Sequence, residues 1–151
     1  RSRPACVICP LQDPCVARRD GRTAELPTAK PGKVVPEREA MALWLRDGHG
    51  RVLLQKRPET GIWASLWTLP QADSGMALQA WFDANVDGAL EDAEELPVLQ
   101  HTFSHYRLHL QVLRTRVEGL KHAHPMLRWV AAEDLPALGL PAPIRKLLQA
   151  R

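Results

Sequence analysis

A strictly alternating segment at 106–112 constrains the fold of this chain more than any other feature. Apolar and polar side chains take turns along it, as Tyr-Arg-Leu-His-Leu-Gln-Val. Successive side chains of a strand point to opposite faces of a sheet, so the pattern predicts a strand with one buried and one polar face. Such a strand needs partner strands and a layer that covers its apolar face. We therefore expect a domain built around a sheet.

Other segments supply the predicted partner strands. Residues 98–103 lead into the alternating strand through a turn at 103–106. Apolar runs at 40–46 and 51–56 flank Asp47-Gly48-His49-Gly50, which predicts two strands joined by a turn. Shorter strands are expected at 67–69, after a loop over 58–65, and at 126–130.

Two helices complete the predicted fold. The first spans 76–82 with Ser74 as its cap, and the second spans 143–149 with Ile144, Leu147 and Leu148 inward. One side of the first helix is expected to carry Met76, Leu78, Trp81 and Phe82. The acidic stretch 83–95 predicts a solvated loop or a helix end. These elements predict an α+β or α/β fold, a sandwich with a mixed sheet flanked by helices.

Three regions are predicted along the chain. Residues 1–19 hold all three cysteines, 20–35 have the composition of a linker, and 36–151 form the α/β domain. The chain has no apolar run of the ~18 residues that a membrane span needs and no apolar signal segment, so we expect a soluble, cytoplasmic protein. It begins without Met, which predicts that it is part of a longer protein.

The positive charge is concentrated near the N-terminus. Residues 1–33 carry seven Lys and Arg against three acidic residues, whereas 34–151 carry thirteen against fourteen. A basic arm of this kind can lie along nucleic-acid phosphates and release their counterions. The same composition is typical of an ordinary solvated tail, so charge alone does not decide between them.

The cysteines have the spacing Cys6-x2-Cys9-x5-Cys15. Thiolates this close together in an intracellular chain more often bind metal than form disulfides. Three ligands leave a tetrahedral site incomplete, so a fourth would have to come from elsewhere. A zinc knuckle completed by a histidine and three free thiols both remain open.

This segment resembles the end of the [4Fe–4S] loop of endonuclease III-like DNA glycosylases, whose pattern is C-x6-C-x2-C-x5-C. The resemblance implies that Cys6, Cys9 and Cys15 are the second, third and fourth cluster ligands. The first ligand would lie seven residues before Cys6, outside this sequence. We expect a [4Fe–4S] cluster in the longer protein, and an absent or labile one in this chain.

The body of the chain resembles the C-terminal domain of the MutY family of adenine DNA glycosylases, which has a Nudix-like fold. The resemblance lies in Val-Leu-Leu-Gln-Lys-Arg-Pro at 52–58 and Gly-Ile-Trp-Ala-Ser-Leu-Trp at 61–67. Four residues depart from the family form: Ile62, Ala64, Ser65 and Leu69. Of these, Ala64 and Ser65 are the two expected to affect the backbone, because they replace or adjoin a position that is often glycine. Trp63 and Trp67 are predicted to pack in the core, with base stacking as a secondary role.

The triplet Phe103-Ser104-His105 is similar to the F-S/T-H loop of the same family. The resemblance implies that it reads 8-oxoguanine opposite adenine in double-stranded DNA, during base excision repair. A serine suits this task because N7 of the oxidised base is a donor and Ser104 offers both a donor and an acceptor. Phe103 would stack beside the base and His105 would contact phosphate. The family's catalytic residues lie in another, helical domain, so no catalytic residue is assigned and this chain alone is predicted to be inactive.

Three other functions are possible for a chain with this sequence. A Nudix hydrolase needs a glutamate-rich helix that holds Mg²⁺, but no Glu occurs between Gln71 and Leu90, and Arg38-Glu39 precede the first strand. A protein-interaction module would use the linker or the acidic segment 83–95. A metal site would use His101, His105 and His109, which could meet only across a hairpin. The sequence favours a DNA lesion-recognition domain, associated with the nucleoid in a bacterium.

Overall fold

The computed structural model describes residues 4–26, 28, 32, 34–90 and 92–150, and it divides the chain into two units, 1–34 and 35–151. The first unit contains a 3-10 turn, Cys6–Ile8, and a short helix α1, Val16–Arg19. Several of its apolar side chains are exposed, among them Val7, Ile8 and Leu11. The boundaries expected after residues 19 and 35, between the cysteine segment, the linker and the α/β domain, stay predictions.

The second unit contains ten strands and two helices among its described residues. The strands are β1 Glu37–Arg46, β2 Val52–Lys56, β3 Trp67–Thr68, β4 Gln71–Ala72, β5 Val86–Asp87, β6 Glu94–Glu95, β7 Leu99–Thr102, β8 Arg107–Arg116, β9 Gly119–Leu120 and β10 Leu127–Val130. The helices are α2 Gly75–Asn85 and α3 Ala142–Gln149, and a 3-10 turn spans Leu135–Ala137. The segments predicted as strands and helices therefore all form, with ends shifted by a few residues.

Eight of the strands form one mixed sheet. Its main order is β10-β2-β1-β8-β6, with β3 beside β2, β4 beside β1 and β7 beside β8. The central pair β1 and β8 is parallel from Glu37↔Arg107 to Arg46↔Arg116, and the other pairs are antiparallel. β5 and β9 form a separate two-stranded sheet.

Both faces of the central strand are covered. Ala42 and Trp44 face a core that contains Ile144 of α3, whereas Leu43 and Leu45 face a core that contains Phe82 of α2. The four consecutive residues of β1 are fully or almost fully buried, as expected for a strand in a parallel pair with helices on both sides. The predicted class, a sandwich with a mixed sheet flanked by helices, is confirmed.

One detail of the prediction was wrong, and another was incomplete. Met76 is 85% exposed, although it was placed on the inner side of α2. It lies two residues before buried Leu78, a rotation of about 200° around the helix, so the two side chains point apart. The acidic segment 83–95 is partly built into sheets, and Glu94 in β6 binds Arg114 of β8 at 2.6 Å. Among the described residues, no helix has the length and apolar character needed to cross a membrane.

Candidate nucleic-acid interface

The triplet at 103–105 forms the end of the β7–β8 hairpin. The strands pair up to Thr102↔Arg107, and the amide of Phe103 donates to the carbonyl oxygen of Tyr106 at 2.8 Å. That bond closes a tight turn and leaves Ser104 and His105 exposed at the tip. The predicted turn at 103–106 is confirmed, and its two central side chains are free to meet a ligand.

An aromatic cluster supports this tip from below. The half-buried ring of Phe103 lies 4.5 Å from His101, 4.9 Å from Tyr106 and 5.8 Å from Trp63, measured between ring centroids. The His105 ring meets Tyr106 edge-on at 4.9 Å, and Ser104 Oγ lies 3.4 Å from His105 Nδ1. Edge-on and tilted pairs of this kind are favourable, so the cluster holds the tip in a defined position. Phe103 packs against the core and keeps one part of its ring accessible.

The loop between β2 and β3 carries Trp63 into this cluster. The amide of Arg57 donates to Leu66 and the amide of Ser65 donates to Pro58, both at 2.9 Å, so the loop is closed at its base. Trp63 and Ser65 have φ of 55° and 58°, a left-handed backbone that side chains disfavour. Trp63 and Trp67 pack against the larger core cluster, as predicted.

A cleft of about 370 Å³ lies beside the tip, between this loop and the start of β1. Its lining includes Trp63, His105 and Tyr106 together with two arginines, Arg38 and Arg57. The Arg38 guanidinium stacks over the Tyr106 ring at 4.8 Å. Burial raises the pKa of Tyr106, against the opposing effect of the two guanidiniums, so the phenol stays protonated at neutral pH.

Neither arginine was identified as a site residue from the sequence. Arg57 stands in the Arg-Pro pair of the segment 52–58, where it could have been noticed as a charge beside a turn. Arg38 reaches the cleft because β1 runs parallel to β8, with Arg38 paired to Leu108. No local pattern in the sequence indicates that pairing.

The histidines do not meet across the hairpin. His101 pairs with Leu108 and His109 pairs with Gln100. Residues directly opposite in a ladder share a face, and the face alternates along the strand, so His101 and His109 point to opposite sides. His109 instead lies 3.5 Å from Glu37. Across the described ranges no three His, Cys, Asp or Glu side chains are grouped so that they could hold a metal ion.

The three cysteines are half-buried free thiols. Cys6 begins the 3-10 turn, and Cys15 precedes α1. The same search of the described part of the chain does not group them as a set of metal ligands. The [4Fe–4S] assignment stays a prediction based on the spacing.

Comparisons with known proteins agree on one family. A family profile for the NUDIX domain matches residues 41–150. The adenine DNA glycosylase of Buchnera aphidicola from Schizaphis graminum is 23% identical over 97% of this chain and 43% of its own length. The chain thus spans less than half the length of this relative and of the adenine DNA glycosylase of a second Buchnera aphidicola strain.

Two solved structures share the fold. The C-terminal domain of mouse MUTYH, solved in complex with human PCNA, has a TM-score of 0.62 at 19% identity, over 74% of this chain and 84% of that one. A MutT NUDIX hydrolase from Burkholderia pseudomallei has a TM-score of 0.60 at 24% identity, over 75% and 96%. The chain therefore belongs to the NUDIX domain family, as a C-terminal domain of the MutY type.

Proposed function

We propose that this domain is the lesion-recognition part of an adenine DNA glycosylase that removes adenine paired with 8-oxoguanine in double-stranded DNA. The observation that carries the proposal is the exposed Ser104-His105 tip, held on a closed turn above an aromatic cluster. The relatives that match nearly the whole chain are adenine DNA glycosylases, which supports DNA as the partner.

The chemistry of the tip suits an oxidised purine. Oxidation at C8 converts N7 of guanine from an acceptor into a donor, and Ser104 Oγ accepts from that hydrogen. When the hydroxyl hydrogen of Ser104 points to His105 Nδ1, 3.4 Å away, the same oxygen faces an acceptor in normal guanine, and the contact then discriminates between the two bases by about 1–3 kcal/mol. Phe103 lies against the neighbouring base and His105 contacts phosphate.

The remaining assignments extend this proposal. The basic residues of 1–33 lie along the DNA backbone and add affinity without sequence preference. Cys6, Cys9 and Cys15 are three of four ligands of a [4Fe–4S] cluster in a longer chain. A protein with this task works in the cytoplasm on chromosomal DNA, which makes it a component of the nucleoid in a bacterium.

The test is an NMR titration of this chain with three short duplexes at low salt. The duplexes contain one 8-oxoguanine:adenine pair, one guanine:adenine pair, or normal pairs only. We expect selective shifts at Phe103, Ser104 and His105 with the first duplex. Identical diffuse shifts with all three duplexes would contradict lesion readout by this domain.

Ser104→Ala then tests the hydroxyl itself. We expect the preference for 8-oxoguanine over guanine to fall by about 5- to 150-fold, the equivalent of 1–3 kcal/mol. Thr115→Ala is the matched control, because it removes a hydroxyl at the far end of β8. An unchanged preference in Ser104→Ala would show that backbone groups alone read the base.

A further inference from the structure

We infer that the cleft beside the tip binds a phosphate ester through Arg57, with Arg38 as a second cation. This inference rests on the proposed function and adds a site that positions the nucleic acid against Ser104. The DNA backbone next to the lesion is the expected source of the phosphate, and a free nucleotide is the other source of the same chemistry.

Arg57 has the properties of a ligand-binding side chain. Its Nε is buried, and no described residue accepts a hydrogen bond from it or forms an ion pair with the side chain. Arg57 as a whole is half-buried, and a guanidinium N–H that is removed from solvent normally has a carboxylate or carbonyl partner. Its backbone is fixed, because its amide donates to Leu66 and Pro58 follows. The side chain therefore lines the cleft from a fixed backbone, with donors that no described residue uses.

Arg38 brings a second positive charge to the same cleft from β1. Its guanidinium lies over the Tyr106 ring at 4.8 Å, a contact that favours this position and leaves its charge available. Both guanidiniums are close enough to Tyr106 to act on the charge of its phenol. Two guanidiniums that line one cleft can offer paired N–H donors to a phosphate.

The positions of two acidic residues indicate which part of the cleft binds the phosphate. Glu39 and Asp73 line this cleft and also a neighbouring one that contains His109 and Gln111. Arg57, Trp63 and His105 line the first cleft alone. The carboxylates thus lie where the two clefts meet, and the phosphate binds on the side of Arg57. Trp63 and His105 offer aromatic rings there on which a base or sugar can rest.

The salt dependence of DNA binding tests this inference. Each phosphate contact contributes about 0.9 to the slope of log affinity against log salt concentration. We expect Arg57→Gln to reduce the magnitude of that slope by about 1. Its affinity for all three duplexes should fall about equally, by about tenfold, without loss of lesion preference. Arg57→Lys should keep the slope and lose part of the affinity. Arg128→Gln, an exposed arginine on β10, is the matched control and should change neither.

Two further measurements make the result decisive. Thermal unfolding of each variant separates loss of binding from loss of folding, and 8-oxo-dGMP tests the free nucleotide. If Arg57→Gln abolishes binding of 8-oxo-dGMP but leaves the duplex slope unchanged, the phosphate site stands and its source is the nucleotide. If a folded Arg57→Gln changes neither, the inference is overturned. The proposed function fails separately, if the wild-type chain shows no preference for the lesion duplex.

Discussion

Tyr106 connects the parts of the candidate interface. Its ring contacts Phe103 and His105 at the tip, and Arg38 stacks on it from β1. Only 4% of Tyr106 is exposed, so it acts by positioning its neighbours. Because burial raises the pKa of Tyr106, its phenol stays protonated at neutral pH and adds no negative charge beside the two arginines.

Ser65 affects stability through its backbone conformation. Its φ of 58° costs a non-glycine residue about 1–2 kcal/mol, and part of that cost disappears when glycine takes the position. Glycine also loses more entropy on folding, by about 0.4–1 kcal/mol. We therefore expect Ser65→Gly to raise the free energy of unfolding by about 0.5–1 kcal/mol, or the Tm by about 1–4 °C.

Ala64→Gly is the control for this effect. Ala64 is the exposed neighbour in the same loop and lacks the positive φ, so glycine there should give no gain in thermal unfolding. Equal stabilisation by both changes would mean that the backbone of Ser65 is not the cause. The departure from the family's frequent glycine was visible in the sequence, but its left-handed conformation was not.

The turn between β1 and β2 depends on one buried carboxylate. Asp47 accepts hydrogen bonds from the amides of His49 and Arg51 at 3.0 and 2.9 Å, and from Arg51 Nε at 2.7 Å. Burial by itself would raise the pKa of Asp47, but the bonds from Arg51 and His49 outweigh it and hold the pKa below its ordinary value of 3.8. We expect Asp47→Ala to lower the free energy of unfolding by about 1–3 kcal/mol.

The pH dependence of stability checks the charge on Asp47. A lowered pKa in the folded state stabilises the fold above the unfolded pKa, and this contribution is lost as pH falls through the folded pKa. The difference in free energy of unfolding between wild type and Asp47→Asn, measured with denaturant, should therefore be largest near neutral pH. It should shrink below about pH 4. A gap that stays constant down to pH 2 would contradict this. Asp134→Asn, an exposed site, controls for the loss of one negative charge.

Elements formed by neighbouring residues were predictable, and long-range pairings were not. The alternation at 106–112 and the turn before it are local, so the β7–β8 hairpin and its exposed tip followed from the sequence. The parallel pairing of β1 with β8 joins residues such as Glu37 and Arg107, 70 positions apart. That pairing brings Arg38 to the cleft and Glu37 to His109, and it explains why Arg38 was not identified from the sequence.

The domain has a Nudix fold, but its helix α2 lacks the glutamate-rich pattern with which a Nudix hydrolase holds Mg²⁺. α2 covers one face of the sheet, as its buried Leu78 and Phe82 show, yet its only carboxylate is Asp83. A Mg²⁺ site for pyrophosphate hydrolysis needs several oxygen ligands brought together. Polar groups do converge at the tip of β7–β8 and in the cleft beside it.

We therefore expect this chain to bind DNA without catalysing a reaction on it. Incubation with an 8-oxoguanine:adenine duplex should release no adenine, because the resemblance to the MutY family places the catalytic residues in another, helical domain. Incubation with 8-oxo-dGTP and Mg²⁺ should release no pyrophosphate, because α2 offers a single carboxylate. A catalytically active full-length glycosylase and a MutT hydrolase are the positive controls. Measurable adenine release would place catalytic groups in this domain, and Mg²⁺-dependent pyrophosphate release would mean that carboxylates outside α2 form the metal site.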